Sequence, residues 1–393
     1  MKKFLVVIIF SILLFNGAFA QERAERNVDV AFPQMKKFFY QMDRSVLELP
    51  QVEGYSVLKA DFHLHTVFSD GYVWPTTRVE EAFLEGLDAI AITDHLEYRP
   101  KASYFSSNNH NQAYEIAENT AKRLGIILIR GTEITRDTAA GHFNAIFIKD
   151  ANIFEKFVNK QKPSDPATIK NALDEAKKQG GFVFWNHPWD KQPGTRAIWH
   201  PVHTELLKLG LINGIEVNNR DRYYPEIFKW CNDYNLTLIS NTDAHNPLFR
   251  LEDGSYRSMT FVFANERSAS GIQQALNNRQ TIAYSQNYIY GDEKYVKLLF
   301  ANAVSLKTIH TNEKSFIVEL KNKAGIPYNI EVKDTDGLNV SQRQFILKAN
   351  GNCALILDKE SLVKGKTYRL KVEVKNAHVA PEKALDYEFN LIP

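Results

Sequence analysis

The sequence predicts an α/β fold with a mainly parallel, barrel-like sheet, followed by a small all-β sandwich. Three observations carry this. Short apolar runs alternate with helical patterns from about residue 56 to 290. Most of those runs end in a polar residue able to bind a metal. From about residue 295 helical patterns give way to short β-rich runs separated by turn residues.

The first run, Ser56–Phe62, leads into His63-Leu64-His65-Thr66 and then Ser69-Asp70-Gly71. Successive strand side chains point to opposite faces, so His-x-His at a strand end puts two imidazoles on one side. Two converging nitrogens are half of a metal site. A helical pattern over Arg78–Glu85 precedes the run Ala89–Ile92, which leads to Thr93-Asp94-His95. Helical Asn111–Leu124 precedes Ile126–Ile129, which leads to Arg130-Gly131-Thr132-Glu133. His142 opens the run Phe143–Ile148 instead of closing it, so this strand is expected to return antiparallel and bring His142 to the same rim. Helical Pro166–Gln179 precedes Phe182–Trp185 and Asn186-His187-Pro188. Helical Thr204–Leu209 precedes Gly214–Val217 and Asn218-Asn219. Helical Tyr224–Asn232 precedes Leu236–Ile239 and Asn241-Thr242-Asp243-Ala244-His245, and helical Ala269–Arg279 ends the series. In a parallel α/β barrel the loops leaving the strands share one face, where active sites form.

The later runs are Phe316–Leu320, Tyr328–Val332, Phe345–Leu347, Ala354–Leu357, Tyr368–Val374 and Tyr387–Leu391. They carry no ligand-like cluster, and a packing, shielding or partner-contact role is expected. The domains expected are a signal peptide over 1–20, an N-terminal extension over 21–55, the barrel over 56–293 and the β-sandwich over 294–393. Met1-Lys2-Lys3, the apolar run Phe4–Phe15 and Ala18-Phe19-Ala20 have the layout of a cleaved secretory signal. A periplasmic or secreted protein with no membrane anchor after cleavage is therefore expected. Phe38-Phe39-Tyr40 is expected to pack on the main domain. Cys231 and Cys353 are the only cysteines and fall in different domains, so free, buried thiols are expected.

The 393 residues carry a net charge of +2, and about zero without Lys2 and Lys3. That balance argues against general nucleic-acid or anionic-membrane binding, and no stable nucleic-acid partner is expected.

A single histidine at a strand end is ordinarily structural. Here His63, His65, His95, His142, His187 and His245, out of 11 in the chain, fall at ends that the fold gathers together, along with Asp70, Glu133 and Asp243. In order, Asp61-Phe62-His63-Leu64-His65-Thr66 with Ser69-Asp70-Gly71, Thr93-Asp94-His95, Gly131-Thr132-Glu133, Gly141-His142-Phe143, Asn186-His187-Pro188 and Asp243-Ala244-His245 resemble the motifs of the PHP (polymerase and histidinol phosphatase) metallophosphoesterase family. The resemblance spans about residues 57–285 and implies a distorted seven-stranded (β/α) barrel. Thr66–Gly71, Val73-Trp74-Pro75 and Asp94–Tyr98 further resemble exported bacterial phosphodiesterases of that family.

The resemblance implies that His63 and His65, with Glu133 and Asp243, hold one cation. Glu133 would bridge to a second held by His142 and His187, and Asp70, His95 and His245 would hold a third. Many members carry His where this chain has Asp70, a harder ligand that alters the third site. Without a third cation, His95 and His245 become acid/base groups. Mixed imidazole and carboxylate ligands suit zinc, manganese or iron better than magnesium, so two or three such divalent ions are expected. Ions of this kind ionise a shared water for in-line attack on phosphorus, so no side-chain nucleophile is required. Asp243 joins His95 and His245 in the catalytic set, and Asp94 either orients an imidazole or caps its strand end. Asn218, Arg222 and Arg130, and more weakly Asn186, Asn241 and Arg220, are candidates for substrate contact. Tyr98, Tyr104, Phe105, Trp189 and Trp199 are candidates to wall an organic leaving group, and His200 and His203 are not assigned to metals.

The function expected is that of an exported metal-dependent phosphoesterase acting on small-molecule phosphate esters, with phosphodiesters first. Phosphomonoester hydrolysis, carboxyl-ester hydrolysis and an inert binding barrel are the alternatives. The export signal argues against an intracellular histidinol phosphatase.

Overall fold

Seven strands form a closed ring. β1 (Ser56–Leu64) pairs parallel with β2 (Ala89–Ile92), and β2 pairs parallel with β3 (Ile127–Ile134). β4 (His142–Ile146) runs antiparallel to both β3 and β5 (Phe182–Asn186). β5 pairs parallel with β6 (Gly214–Asn219). β7 (Arg222–Tyr223) is a short hairpin return on β6, and β8 (Thr237–Asn241) pairs parallel with β6. Beyond β8 the chain meets the end of β1 through a parallel bridge, Leu64 to Ala244, and the His65 N–H donates to the Ala244 carbonyl at 3.0 Å. The structure, a computed structural model, describes residues 44–136, 139–158, 166–190, 192, 196–248, 255–360, 362–363 and 365–392. The chain divides into the compact units Met1–Ser45 and Val46–Pro393. The signal segment, Phe38-Phe39-Tyr40 and nearly all of the first unit lie outside the described residues. Among the described residues, no helix is long and apolar enough to cross a membrane.

Helices α1 (Pro75–Leu84), α2 (Gln112–Leu124), α3 (Pro166–Lys178), α4 (Pro201–Lys208) and α5 (Pro225–Asp233) lie between the strands. α1, α4 and α5 begin with proline, whose fixed φ suits the first turn and whose missing N–H would be unpaired there. α2 ends on Gly125 in the left-handed region (φ 70°). One apolar cluster combines Leu58, Ala60, Phe62, Ala91, Ile129, Ile146, Phe184 and Ile239 from the ring strands with Ile272 and Leu276. That cluster fills the barrel as a packed floor, leaving the polar side chains at the other end.

Several ring strands run further toward the rim than their apolar runs. β1 reaches Leu64, β3 reaches Ile134, and β6 and β8 end on Asn219 and Asn241. The hydrogen-bond ladder continues after the composition turns polar. Three further strands absent from the sequence reading follow: β9 (Met259–Ala264), β10 (Thr281–Ser285) and β11 (Tyr288–Gly291), with α6 (Ala269–Asn277) between the first two. β9 pairs antiparallel with β1 and β10, and β11 with β10. β9 is an apolar, fully buried strand like the others, but it carries no ligand at its end.

α7 (Glu293–Ala303) leads into the C-terminal sandwich. Its strands are β12 (Val304–Thr311), β13 (Ser315–Asn322), β14 (Tyr328–Asp334), β15 (Asn339–Val340), β16 (Gln344–Leu347), β17 (Asn352–Asp358), β18 (Tyr368–Ala380) and β19 (Lys383–Leu391). β12, β13, β17 and β15 make one sheet. β16, β14, β18 and β19 belong to the barrel's own sheet, because β18 pairs parallel with β11 at Ile289–Ala377 and Tyr290–His378. Alternate residues such as Phe316, Val318, Leu320, Leu355, Leu357, Leu370 and Val372 fill the core. Cys231 is buried and Cys353 half-buried, and neither forms a disulfide.

Candidate metal centre

The ring strands bring His63, His65, Asp70, His95, Glu133, His142, His187, Asp243 and His245 together at one rim. His63 and His65 are fully buried, with their Nε2 atoms 3.1 Å apart. Glu133 Oε2 lies 3.2 Å from each of them, and Asp243 Oδ1 lies 3.3 and 3.1 Å away. Atoms held about 2.0–2.1 Å from a common ion sit about 2.9–3.4 Å from their neighbours. The five distances that join an imidazole to its neighbours here fall in that range, and the ligand atoms of His63, His65 and Asp243 lie within 4.8 Å of one another, as do those of His63, Glu133 and His187.

The other oxygen of Glu133 serves a second group. Glu133 Oε1 is 2.9 Å from His142 Nδ1 and 3.7 Å from His187 Nε2. The antiparallel register places His142 opposite Asn186, beside His187. A third group surrounds Asp70, whose Oδ2 is 3.1 Å from His245 Nε2. Its Oδ1 is 3.6 Å from His65 Nδ1 and 3.7 Å from His95 Nε2.

Two buried polar atoms in these groups, Asp70 Oδ1 and His142 Nε2, have no hydrogen-bond partner. Buried polar atoms ordinarily find one. Together with the imidazole and carboxylate donor set, these orphans fit divalent cations.

The surroundings hold the ligands in place. Glu216 accepts from His63 Nδ1 at 2.8 Å, so the His63 Nε2 lone pair faces the cluster. His95 Nδ1 pairs with Thr135 Oγ1 at 2.6 Å. Arg220 Nη2 bonds the outer oxygen of Asp243 at 2.9 Å. Arg78 of α1 is wholly buried and ties the two closing loops together. It donates to the carbonyls of His65 (2.9 Å), Ala244 (2.8 Å) and Asn246 (3.0 Å), and pairs with Glu81 at 2.7 Å. Gly71 follows Asp70 because a Cβ there would stand 2.6 Å from the His65 carbonyl carbon.

Some sequence candidates lie elsewhere or act differently. Arg130 does not reach the centre: it bonds Asn111 and the Lys149 carbonyl and stands over the Tyr114 ring. Ile129, Gly131 and Glu133 share the inner face of β3, so the residue between Ile129 and Gly131 points outward. Asp94 orients no imidazole. It accepts from the Thr66 N–H (2.7 Å), the Thr66 hydroxyl (2.6 Å) and the Ser69 hydroxyl (2.5 Å), bracing the turn that carries Asp70. Arg222 is exposed on β7, and its carbonyl accepts from Asn218 Nδ2 at 3.0 Å. Asn218 is buried, with Oδ1 unpartnered. Asn241 bonds the Phe62 N–H and Glu216, a bracing role. Asn186 accepts from the Asn144 N–H. Tyr98 stands at the rim with its ring 6.1 Å from His95, and Tyr104 is exposed. Trp199 and His203 stack in an aromatic cluster with Trp185, away from the ligands. Burial lowers His203 to a pKa of about 4, with its Nε2 on the Ala140 carbonyl.

Glu216, Thr135 and Arg78 escaped the sequence reading. Glu216 had a signal: a lone carboxylate inside the apolar run Gly-Ile-Glu-Val.

Charges set the ionisation of the ligands. Burial alone would depress His65, but hydrogen bonds and charge from Asp243 and Glu133 outweigh it and lift its pKa to about 9. His63 and His187 are raised despite burial by the same carboxylates and Glu216. Glu133 and Asp243 are pulled well below the carboxylate range, against burial, by the surrounding imidazoles. Asp70 falls to about 2, burial being overcome by the His245 bond and the charges of His65 and His95. Burial takes His95 down to about 3, with Glu133 only partly opposing it. The His95 imidazole is thereby held neutral at neutral pH.

A pH dependence follows. Folding raises the proton affinity of His63, His65 and His187, so their contribution to stability is complete below the unfolded value of 6.5 and, for His65, is lost as pH rises through about 9. For His65 this is on the order of 3 kcal/mol. Metal-free protein is expected to unfold at lower urea at pH 9.5 than at pH 6.5, while metal binding releases protons and tightens over the same range. Urea midpoints with EDTA at both pH values, and titration calorimetry in two buffers, check this. Equal midpoints would contradict it.

Beside Asp243 and His245 opens a cleft of about 510 Å³ that Arg220, Arg257 and Ser258 also line.

Comparison with known proteins places these features in context. The PHP domain profile matches residues 61–282, and an Ig-like domain profile matches residues 304–390. A crystal structure from Bacteroides vulgatus ATCC 8482, of a two-domain protein containing a predicted PHP-like metal-dependent phosphoesterase, superposes with a TM-score of 0.81. It is 41% identical and covers 88% of this chain and 99% of that one. The DNA polymerase/3'-5' exonuclease PolX of Bacillus subtilis is 25% identical over 210 residues, covering 51% of this chain and 35% of the polymerase. An uncharacterized protein of Methanocaldococcus jannaschii is 37% identical over 83 residues, covering 20% of this chain and 34% of that protein. The chain therefore spans about a third of the length of these curated relatives.

Proposed function

The chain belongs to the PHP family, and from that membership we propose that it hydrolyses phosphodiesters outside the cytoplasm with two or three bound divalent ions. At the coarser level it is a metal-dependent phosphoesterase of the PHP type. The observation that carries the reading is that Glu133 Oε2 and Asp243 Oδ1 each lie 3.1–3.3 Å from both His63 Nε2 and His65 Nε2. His63, His65, Glu133 and Asp243 would hold a first ion, Glu133, His142 and His187 a second, and Asp70, His95 and His245 a third. Divalent zinc, manganese or iron there supplies a water pKa near neutrality and positive charge for the phosphoryl oxygens. Arg220 is 58% exposed at the cleft, and its bond to Asp243 keeps that carboxylate turned toward the imidazoles. His245 lies on the same wall, where a leaving group would emerge.

The preference for diesters rests on charge. The two cleft arginines are already matched, Arg220 by Asp243 at 2.9 Å and Arg257 by Glu85 at 2.9 Å. Beyond the bound ions the cleft therefore adds little unmatched side-chain charge for a monoester dianion, although both Nη atoms of Arg257 are buried without a hydrogen-bond partner, whereas a diester carries one negative charge. The signal pattern over residues 1–20 supports export.

Three substrates test the reading: bis(p-nitrophenyl) phosphate, p-nitrophenyl phosphate and p-nitrophenyl acetate, each before chelation, after chelation and after metal return. The diester is expected to turn over fastest, with activity lost on chelation and restored by metal. Turnover of acetate alone removes the phosphoesterase reading, and a faster monoester removes the diester preference.

A further inference from the structure

We propose that Asp190 is a direct ligand of the cation held by His142 and His187, an inference that rests on the metal-centre reading but not on the reaction. Ligand atoms of His142, His187 and Asp190 all lie within 4.8 Å of one another. His142 is 8% exposed, and its Nδ1 is taken by Glu133 Oε1 at 2.9 Å. Its Nε2 is buried and has no partner. A buried imidazole nitrogen without a partner calls for a cation or a donor, and the nearby carboxylate offers neither unless a cation lies between them.

The local backbone presents Asp190 to this spot. The Asp190 N–H donates to the His187 carbonyl at 2.9 Å, closing a tight turn through Pro188. His187 adopts φ 26°, a conformation that L residues rarely hold without compensation. Trp189, between them, is buried and stacks on Tyr224 at 4.8 Å, anchoring the turn against the start of α5. Asp190 is therefore an exposed side chain on a fixed backbone. The motif read from sequence stopped at Asn186-His187-Pro188, two residues short of it.

The added oxygen has a chemical consequence. An ion on His142 Nε2 lies on the side of the ring away from Glu133, which faces Nδ1 and is not grouped with His142 and Asp190. Asp190 supplies that ion with a carboxylate, a harder donor that favours manganese or iron over zinc. Asp190 would thus help to retain that ion while its exposed side chain stays accessible to solvent.

The test uses the full chain, wild type and D190N, stripped of metal and titrated with Co²⁺. Stoichiometry is read by plasma mass spectrometry, affinity by chelator competition and coordination by visible absorption. D190N is expected to bind one Co²⁺ about 10–100-fold more weakly, with altered visible bands for that ion and an unchanged melting temperature of the metal-free form. Identical stoichiometry, affinity and spectrum in D190N would overturn the assignment. A wild type that binds Co²⁺ as described but hydrolyses no phosphate ester would sink the enzymatic reading and leave this one standing.

Discussion

Glu133→Gln is expected to lower kcat/KM on a phosphodiester by at least about 10³-fold, or about 4 kcal/mol of transition-state stabilisation. No other carboxylate here meets as many imidazoles. Its Oε2 lies 3.2 Å from His63 and His65 and 3.3 Å from His95, and its Oε1 lies 2.9 Å from His142 and 3.7 Å from His187. Glutamine keeps the shape but removes the charge and turns an NH₂ toward nitrogens that need their lone pairs for a cation. The loss should fall on both of the ion positions that Glu133 joins, so excess metal should not restore the rate. Metal counts and steady-state rates across a metal titration check this, and a variant keeping its full metal complement and more than about a tenth of the rate would contradict the bridging role.

Glu216→Gln is the second large effect, and its signature differs. This buried carboxylate accepts four hydrogen bonds of 2.8 Å, from His63 Nδ1, the His187 N–H, Asn219 and Asn241. It touches the side chain of His63 and the backbone of His187, two candidate ligands, and belongs to none of the ligand groups itself. Glutamine can still orient His63 through its carbonyl oxygen, but it loses the charge that makes the imidazole a stronger donor and must turn its NH₂ toward groups that donate. Metal affinity should fall about 10–100-fold. The rate should fall by a similar factor at limiting metal and largely recover at saturation, the recovery that Glu133→Gln lacks. A metal dependence indistinguishable from wild type would show Glu216 to be merely structural.

These two residues also mark what a single sequence discloses. Glu133 was legible because it ends an apolar run on a fold that collects such ends. The position of His142 was legible for the converse reason: a candidate ligand at the start of a run reaches the rim only if that strand returns antiparallel, and β4 does so. Glu216 was not, because a carboxylate inside a strand looks like a solvent-facing residue until both faces of the sheet are known to be covered. For Arg130 and Asp94, where substrate contact and imidazole orientation stood against surface pairing and a strand-end cap, period 2 held the answer. Arg130 stands three residues before Glu133 and so faces the other way, and Asp94 adjoins His95 and so points away from it. Arg78 lay beyond reach, because its partners His65, Ala244 and Asn246 are brought together only when the ring closes.

The parallel seam between β11 and β18 makes the Ig-like module more than a passenger. A bare β11 would show the solvent a row of unanswered amide and carbonyl groups beside buried Ile289 and Tyr290, a ready template for another chain. The sandwich thus acts as an edge guard, sealing the catalytic sheet against sticking to its own kind. Surgery that trims the chain down to its metal-binding half would unmask that border.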